Sequence, residues 1–263
     1  MHPPSFLDLP ARQDKPRSRG ITHVLDKGMA LAQAQGLLDH VGGLIDIVKV
    51  GWGIGYVDPA LTAKVAAYRA ADIHVCLGGT LLEVCESQGR VAELRDWAVE
   101  VGITTIEVSD GLCALDRRRK TELVTGLSRG FIVAAEVGSK DAATPVVASE
   151  WLADMQADLD AGATWVIAEG RESGTVGIYD SGGEVRGGLV DTLLTAIPLD
   201  RIIFEAPHKA QQTWFVRRLG AEVNLGNIPP DDVLPLETLR LGLRADTATV
   251  RRSGLATATA VAR

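Results

Sequence analysis

FIVAAEVGSK, residues Phe131–Lys140, decides the reading of the fold. Its first half is a short apolar run, too short for a helix, so Phe131–Val137 reads as a buried strand. The run closes on Glu136, with Lys140 a few residues on, an acid and an amine where a strand stops. Seven further segments have the same form: Ile21–Asp26, Leu44–Val50, Asp72–Gly78, Ile103–Ser109, Thr164–Gly170, Arg201–Pro207 and Ala221–Asn227. Helical patterns lie between them, among them DPALTAKVAAYRA, RVAELRDWAVEVG, ASEWLADMQADLDAG and KAQQTWFVRRLG. Several end in Gly just before the next strand, the expected helix stop.

Eight strands alternating with helices predict an α/β chain folded as a (β/α)8 TIM barrel. A doubly wound open sheet is the alternative, but the first strand ends in LDKG and not in a Gly-rich phosphate turn. Residues 1–263 read as one domain, with 1–19 an irregular N-terminal arm and 248–263 a C-terminal tail. GTVGIYDSGGEVRGG and NIPPDDVLPLE read as long loops, and loops after barrel strands build the site.

The net charge of −7 argues against nucleic acid, which requires a basic footprint. The densest basic run, Asp116–Lys120 (DRRRK), reads as a solvated helix start after the fourth strand. No apolar run reaches the roughly 18 residues a membrane helix needs. The first residues contain no apolar signal region, so a cytoplasmic location is expected. Cys76, Cys85 and Cys113 form no metal-ligand pattern and read as structural thiols.

Barrel sites sit at the C-terminal ends of the strands. Asp26 ends the first strand and Lys49 lies in the second, before GWG; Thr80 and Glu83 follow the third. Glu107, Glu136, Glu169 and Glu205 end the fourth to seventh, and Asn224 and Asn227 lie in the eighth. Side-chain alternation puts Thr105, Glu107 and Ser109 on one face, and likewise Ala134 with Glu136, Ile167 with Glu169 and Ile203 with Glu205. Four glutamates aimed into one mouth would repel unless cations hold them ionised. A divalent metal, Lys49, Lys140, Arg171 and Lys209 are the available cations. Oxygen ligands without His or Cys point to Mg²⁺ over zinc.

EGRESG (Glu169–Gly174) places a guanidinium between acids and glycines, suited to an anion held bidentately. LGGTLLE (Leu77–Glu83) offers N–H groups and Thr80 at a helix start, and NLGNI follows the eighth strand where barrels often bind phosphate. His23 and His74 fall within strands and read as core or supporting residues, while His208 neighbours Lys209 at a strand end.

RSRGITHVLDKG, DIVKVGWG, LGGTLLEVCESQG, IEVSDG, AAEVGSK, IAEGRESGTVGIY, IFEAPHKAQQ, VNLGNI and LETLRLGLRADT together resemble the phosphosulfolactate synthase family, from about Arg17 to Thr247. Ile54 stands where the family pattern leads one to expect Thr. The resemblance implies a (β/α)8 barrel lyase that adds sulfite to phosphoenolpyruvate with Mg²⁺, giving (2R)-phospho-3-sulfolactate on the way to coenzyme M or a related sulfonate. It implies Lys140 as proton donor, with Glu136 supporting it or the metal. Glu107, Glu136 and Glu169 are then the first choice of metal ligands, with Asp26 and Glu205 behind them. Lys49, Arg171 and Lys209, with Thr80 and Asn224, are the candidates for contacts to small anionic substrates. Two other readings remain open. One is a different Mg²⁺-dependent barrel lyase or aldolase on a phosphorylated enol or keto acid, with Lys49 as Schiff-base candidate. The other is a non-catalytic interaction homologue. A homo-oligomer is possible on either reading.

Overall fold

The computed structural model describes residues 6–111, 115–139 and 144–248. The alternating apolar runs form eight short strands: β1 (Thr22–Asp26), β2 (Ile47–Val50), β3 (His74–Leu77), β4 (Thr105–Val108), β5 (Ile132–Val137), β6 (Trp165–Ala168), β7 (Ile202–Glu205) and β8 (Leu225–Ile228). Each pairs in parallel with the next and β8 closes on β1, so the sheet has no free edge. The helices named from the sequence are present: α3 (Leu61–Ala70), α5 (Val91–Val101), α7 (Ala148–Asp160) and α9 (Lys209–Leu219). Between them run α1 (Leu31–Val41), α2 (Ile54–Val57), α4 (Gly79–Ser87), α6 (Arg117–Leu127), α8 (Gly187–Leu193) and α10 (Val233–Arg240). No helix among the described residues is long and apolar enough to cross a membrane.

Strand alternation divides the apolar residues into two cores. Ile47, Cys76, Ala134, Trp165, Ile167 and Ile203 point inward and fill the barrel. Val48, Val75, Ile106, Val133, Val166 and Phe204 point outward against the helices, where Phe204 stacks on Phe215 of α9 at 4.7 Å between ring centres. The register keeps the glutamates on the inner face. Glu107 is opposite Ala134, two short of Glu136, and Glu136 is opposite Ile167, two short of Glu169. Ile167 is opposite Ile203, two short of Glu205. Two residues is the side-chain period, so all four share the interior.

Four expectations need correction. NIPPDDVLPLE is not a long loop, since it leaves β8 through a single tight turn at Pro230–Asp232 and enters α10 at Val233. The eighth strand starts at Leu225, not Ala221. Asn224 therefore precedes it, at the end of the barrel opposite the site. Its Oδ1 accepts Ile21 N–H at 2.9 Å, and its Nδ2 donates to the carbonyls of Leu199 and Ile202 at 3.2 and 3.1 Å. His74 is the exposed first residue of β3 and not a core residue. The basic run does start a helix, with Asp116 capping α6 by accepting Arg119 N–H at 2.7 Å. Its last member, Lys120, is buried instead and pairs with Asp158 of α7 at 2.8 Å.

The same lower end is closed by residues 6–19, which form no helix or strand. Arg12 pairs with Glu237 at 3.0 Å and Arg17 with Asp46 at 3.1 Å. The buried Arg240 guanidinium donates to the carbonyls of Val223 and Ile21 at 2.7 and 3.2 Å. Asn224→Ala should lower unfolding stability by about 3 kcal/mol in urea titration, because it leaves one N–H and two carbonyls buried without that partner. Steady-state activity at 25 °C should stay within a few-fold of wild type.

Candidate active site

At the upper end the inward residues enclose a cavity of about 220 Å³, lined by Lys49, Thr80, Glu107, Glu136, Glu169, Arg171, Glu205 and Asn227 among others. Lys49 is its electrostatic centre. β2 carries it on the inner face, and its Nζ lies 2.9 Å from Glu107 Oε2 and 3.0 Å from Glu205 Oε1. Burial acts to deprotonate the amine, but the fields of Glu107, Glu205 and Glu136 outweigh it and raise the pKa well above 10.5. Lys49 therefore stays charged, which disfavours the Schiff-base reading, since that chemistry needs a neutral amine.

The glutamates are held from behind. Glu107 Oε1 accepts Gly79 N–H at 2.8 Å, at the first residue of α4. Glu205 Oε2 accepts the N–H groups of Gly170 and Arg171 at 3.0 and 2.9 Å, and Glu169 Oε1 accepts Arg171 N–H at 2.7 Å. Burial alone would raise the Glu205 pKa. Lys49, the Gly170 N–H and a hydrogen bond with Glu169 overcome it and pull it from 4.5 to about 2. Lys120 Nζ donates to the backbone carbonyl of Glu136 at 2.7 Å, which ties the end of β5 to the Lys120–Asp158 pair. The loop after β6 folds tightly over this end. Gly177 has φ 62°, and a Cβ there would stand 2.0 Å from the Glu169 carbonyl oxygen, so only glycine fits.

Glu107, Glu136 and Glu205 each offer a carboxylate oxygen, all within 4.8 Å of one another and all buried. That spacing suits a divalent cation with hard oxygen ligands. Glu169 lines the same cavity but lies outside this trio.

Besides Asn224, two predicted site residues are placed elsewhere. Asp26 shares the outer face of β1 with Val24, because alternation turns it away from the interior. There it pairs with Lys64 of α3, accepts from Tyr68 Oη at 3.2 Å and holds the Gly28 and Met29 N–H groups at 2.8 and 2.7 Å. Lys209 is half exposed at the start of α9 and pairs with Asp246 at 2.8 Å. Lys140 and Cys113 lie outside the described residues. Trp52 and Asn227, not selected from the sequence, both line the cavity. Trp52 had a signal in its two flanking glycines, and Asn227 in its place after NLG.

A family model described as (2R)-phospho-3-sulfolactate synthase (ComA) matches residues 10–246. A phosphosulfolactate synthase of Methanothermobacter thermautotrophicus is 41% identical over 244 residues, spanning 90% of this chain and 95% of the relative. One from Bacillus subtilis is also 41% identical over 244 residues, spanning 92% and 97%. Among solved structures, a 3-hexulose-6-phosphate synthase superimposes with a TM-score of 0.53 at 15% identity, covering 83% of this chain and 99% of that one. That likeness concerns the fold alone.

The charge balance gives a pH test. Glu205, with its lowered pKa, adds stability above pH 4.5 that is lost as pH falls through about 2. Lys49→Met removes the compensating cation and should cost about 3–5 kcal/mol at pH 7 without divalent metal. The carboxylates left behind then have raised pKa values, so the variant should gain stability on moderate acidification where wild type loses it. Urea titrations between pH 3 and 7 in chelator measure both slopes.

Proposed function

The chain belongs to the phosphosulfolactate synthase family, and from that premise we propose that it adds sulfite to phosphoenolpyruvate, with Mg²⁺, to give (2R)-phospho-3-sulfolactate. The observation that carries the reading is the buried Glu107–Glu136–Glu205 trio beside a charged Lys49. Three oxygen donors without His or Cys fit Mg²⁺. Glu107, Glu136 and Glu205 would hold the ion, which would supply Lewis acidity to the bound substrate.

The chain's own residues supply the rest. Arg171, with its planar fork of donors, and the Thr80 hydroxyl suit anionic oxygens of the substrate at the cavity wall. The sulfite sulfur forms a bond to C3, and the electron pair of the double bond moves onto C2 and the carboxylate. Lys49 keeps its positive charge beside that developing anion, held by two carboxylates and so needing little reorganisation. A proton delivered to one face of C2 completes the product and sets its configuration. Lys140, four residues beyond Glu136, is the proton donor of this proposal.

Purified protein incubated with phosphoenolpyruvate, sulfite and Mg²⁺ should form phosphosulfolactate by mass spectrometry, and no product should form when any one is left out. Lys140→Ala should lower kcat by at least ~100-fold, within the range for loss of a general acid. Equal product from that variant would remove Lys140 from the mechanism, and no product from folded, Mg²⁺-loaded wild type would overturn the reaction.

A further inference from the structure

We propose that Asn227 is a substrate-contacting residue whose carboxamide donates a hydrogen bond to an anionic oxygen of the phosphorylated substrate. The inference deepens the proposed function and rests on it for the identity of that substrate.

Asn227 lies in β8 and lines the same cavity as Lys49 and Arg171. It is only 5% exposed, yet its Oδ1 accepts no hydrogen bond from any described residue. Buried amide groups are normally satisfied, so such an atom at a cavity wall points to a ligand. Half a turn about the side chain's last bond puts the NH2 donor where that oxygen stands, so the same position can meet an acceptor oxygen. Asn224, three residues earlier, makes the contrast: all its hydrogen bonds serve the backbone.

The backbone gives a second, independent observation. Among the described residues, four that are not glycine have positive φ: Trp52 at 48°, Asp72 at 55°, Arg171 at 56° and Asn227 at 54°. Three of these four line the cavity. Left-handed backbone is costly outside glycine and gathers where a side chain must be aimed at a ligand. At Asn227 the turn is held from below by His23, whose Nδ1 accepts the Asn227 N–H at 3.4 Å. Burial, then Lys49, lower the His23 pKa to about 3, so the ring is neutral and keeps the lone pair that contact needs.

The surrounding charges explain why an amide suits the position. The cavity already carries five glutamates, including Glu172. The phosphate and carboxylate oxygens of phosphoenolpyruvate are acceptors when ionised, and a carboxamide donates to them without the repulsion a further acid would add.

The test compares wild type with Asn227→Gly and Asn227→Asp in the full chain. Glycine adopts φ near 54° at least as easily as asparagine, so Asn227→Gly should keep the Tm within a few degrees. Phosphoenolpyruvate binding, measured by calorimetry with Mg²⁺ and no sulfite, should weaken about tenfold in Asn227→Gly and further in Asn227→Asp. KM for phosphoenolpyruvate should rise to match, with kcat changed far less. Wild-type affinity and KM in Asn227→Gly would overturn the proposal. So would loss of the fold in that variant, because it would make the residue structural. If wild type binds no phosphoenolpyruvate, the proposed reaction fails separately. Inorganic phosphate titrated against both proteins then decides Asn227, with equal affinity overturning its role and a tenfold loss supporting it.

Discussion

The upper end of the barrel depends on one ammonium group. Lys49 stands between Glu107 and Glu205 at hydrogen-bond distance from both, and all three are buried. Without it, buried carboxylates on consecutive strands would face each other across the cavity, and some would protonate. With it, Glu205 is held well below its usual pKa, Glu107 is ion-paired, and the strand ends present an oxygen-lined centre to a cation. The cost is desolvation, and backbone N–H groups from Gly79, Gly170 and Arg171 help to offset it.

The rest of the fold serves that arrangement from two sides. Below, Arg12, Arg17, Arg240 and Asn224 close the strand starts with hydrogen bonds to backbone and acids, so the interior stays packed under the site. Around the rim, buried ion pairs tie loops to helices. Lys64 joins Asp26 to Asp58 at 3.0 Å and fixes the turn after β1. Lys120 joins Asp158 to the Glu136 carbonyl. Ser109 donates to Glu83 beneath the start of α4, which keeps the Gly79 N–H on Glu107. Charged residues inside helices therefore set the positions of strand-end acids.

Much of this was legible in the sequence because a strand has a strict period of two. Applied to β4–β7, that period found the four inward glutamates. Applied to β1 the same period turns Asp26 outward with Val24, so a place at a strand end is not enough to put a side chain in the site. β8 is harder, since Val223 and Leu225 continue an alternation beyond the true start of pairing, which puts Asn224 inside the expected strand. Lys209 and Lys64 were not legible, because Asp246 and Asp26 lie about 40 residues from them in sequence and the pairing comes only with the fold. The fold class survived such misplacements because it rests on the number and order of elements, whereas a site rests on single side chains.

The central claim is that the Glu107–Glu136–Glu205 trio is the cation centre of the site. A crystal of the protein soaked with Mn²⁺ and phosphoenolpyruvate tests it by anomalous scattering. The account predicts one strong peak bonded to carboxylate oxygens of that trio, at metal–oxygen distances of ~2.1 Å as for a small divalent cation, with the substrate carboxylate beside it. A peak at Asp26 or another acid, or substrate bound with no ion at the trio, would contradict it.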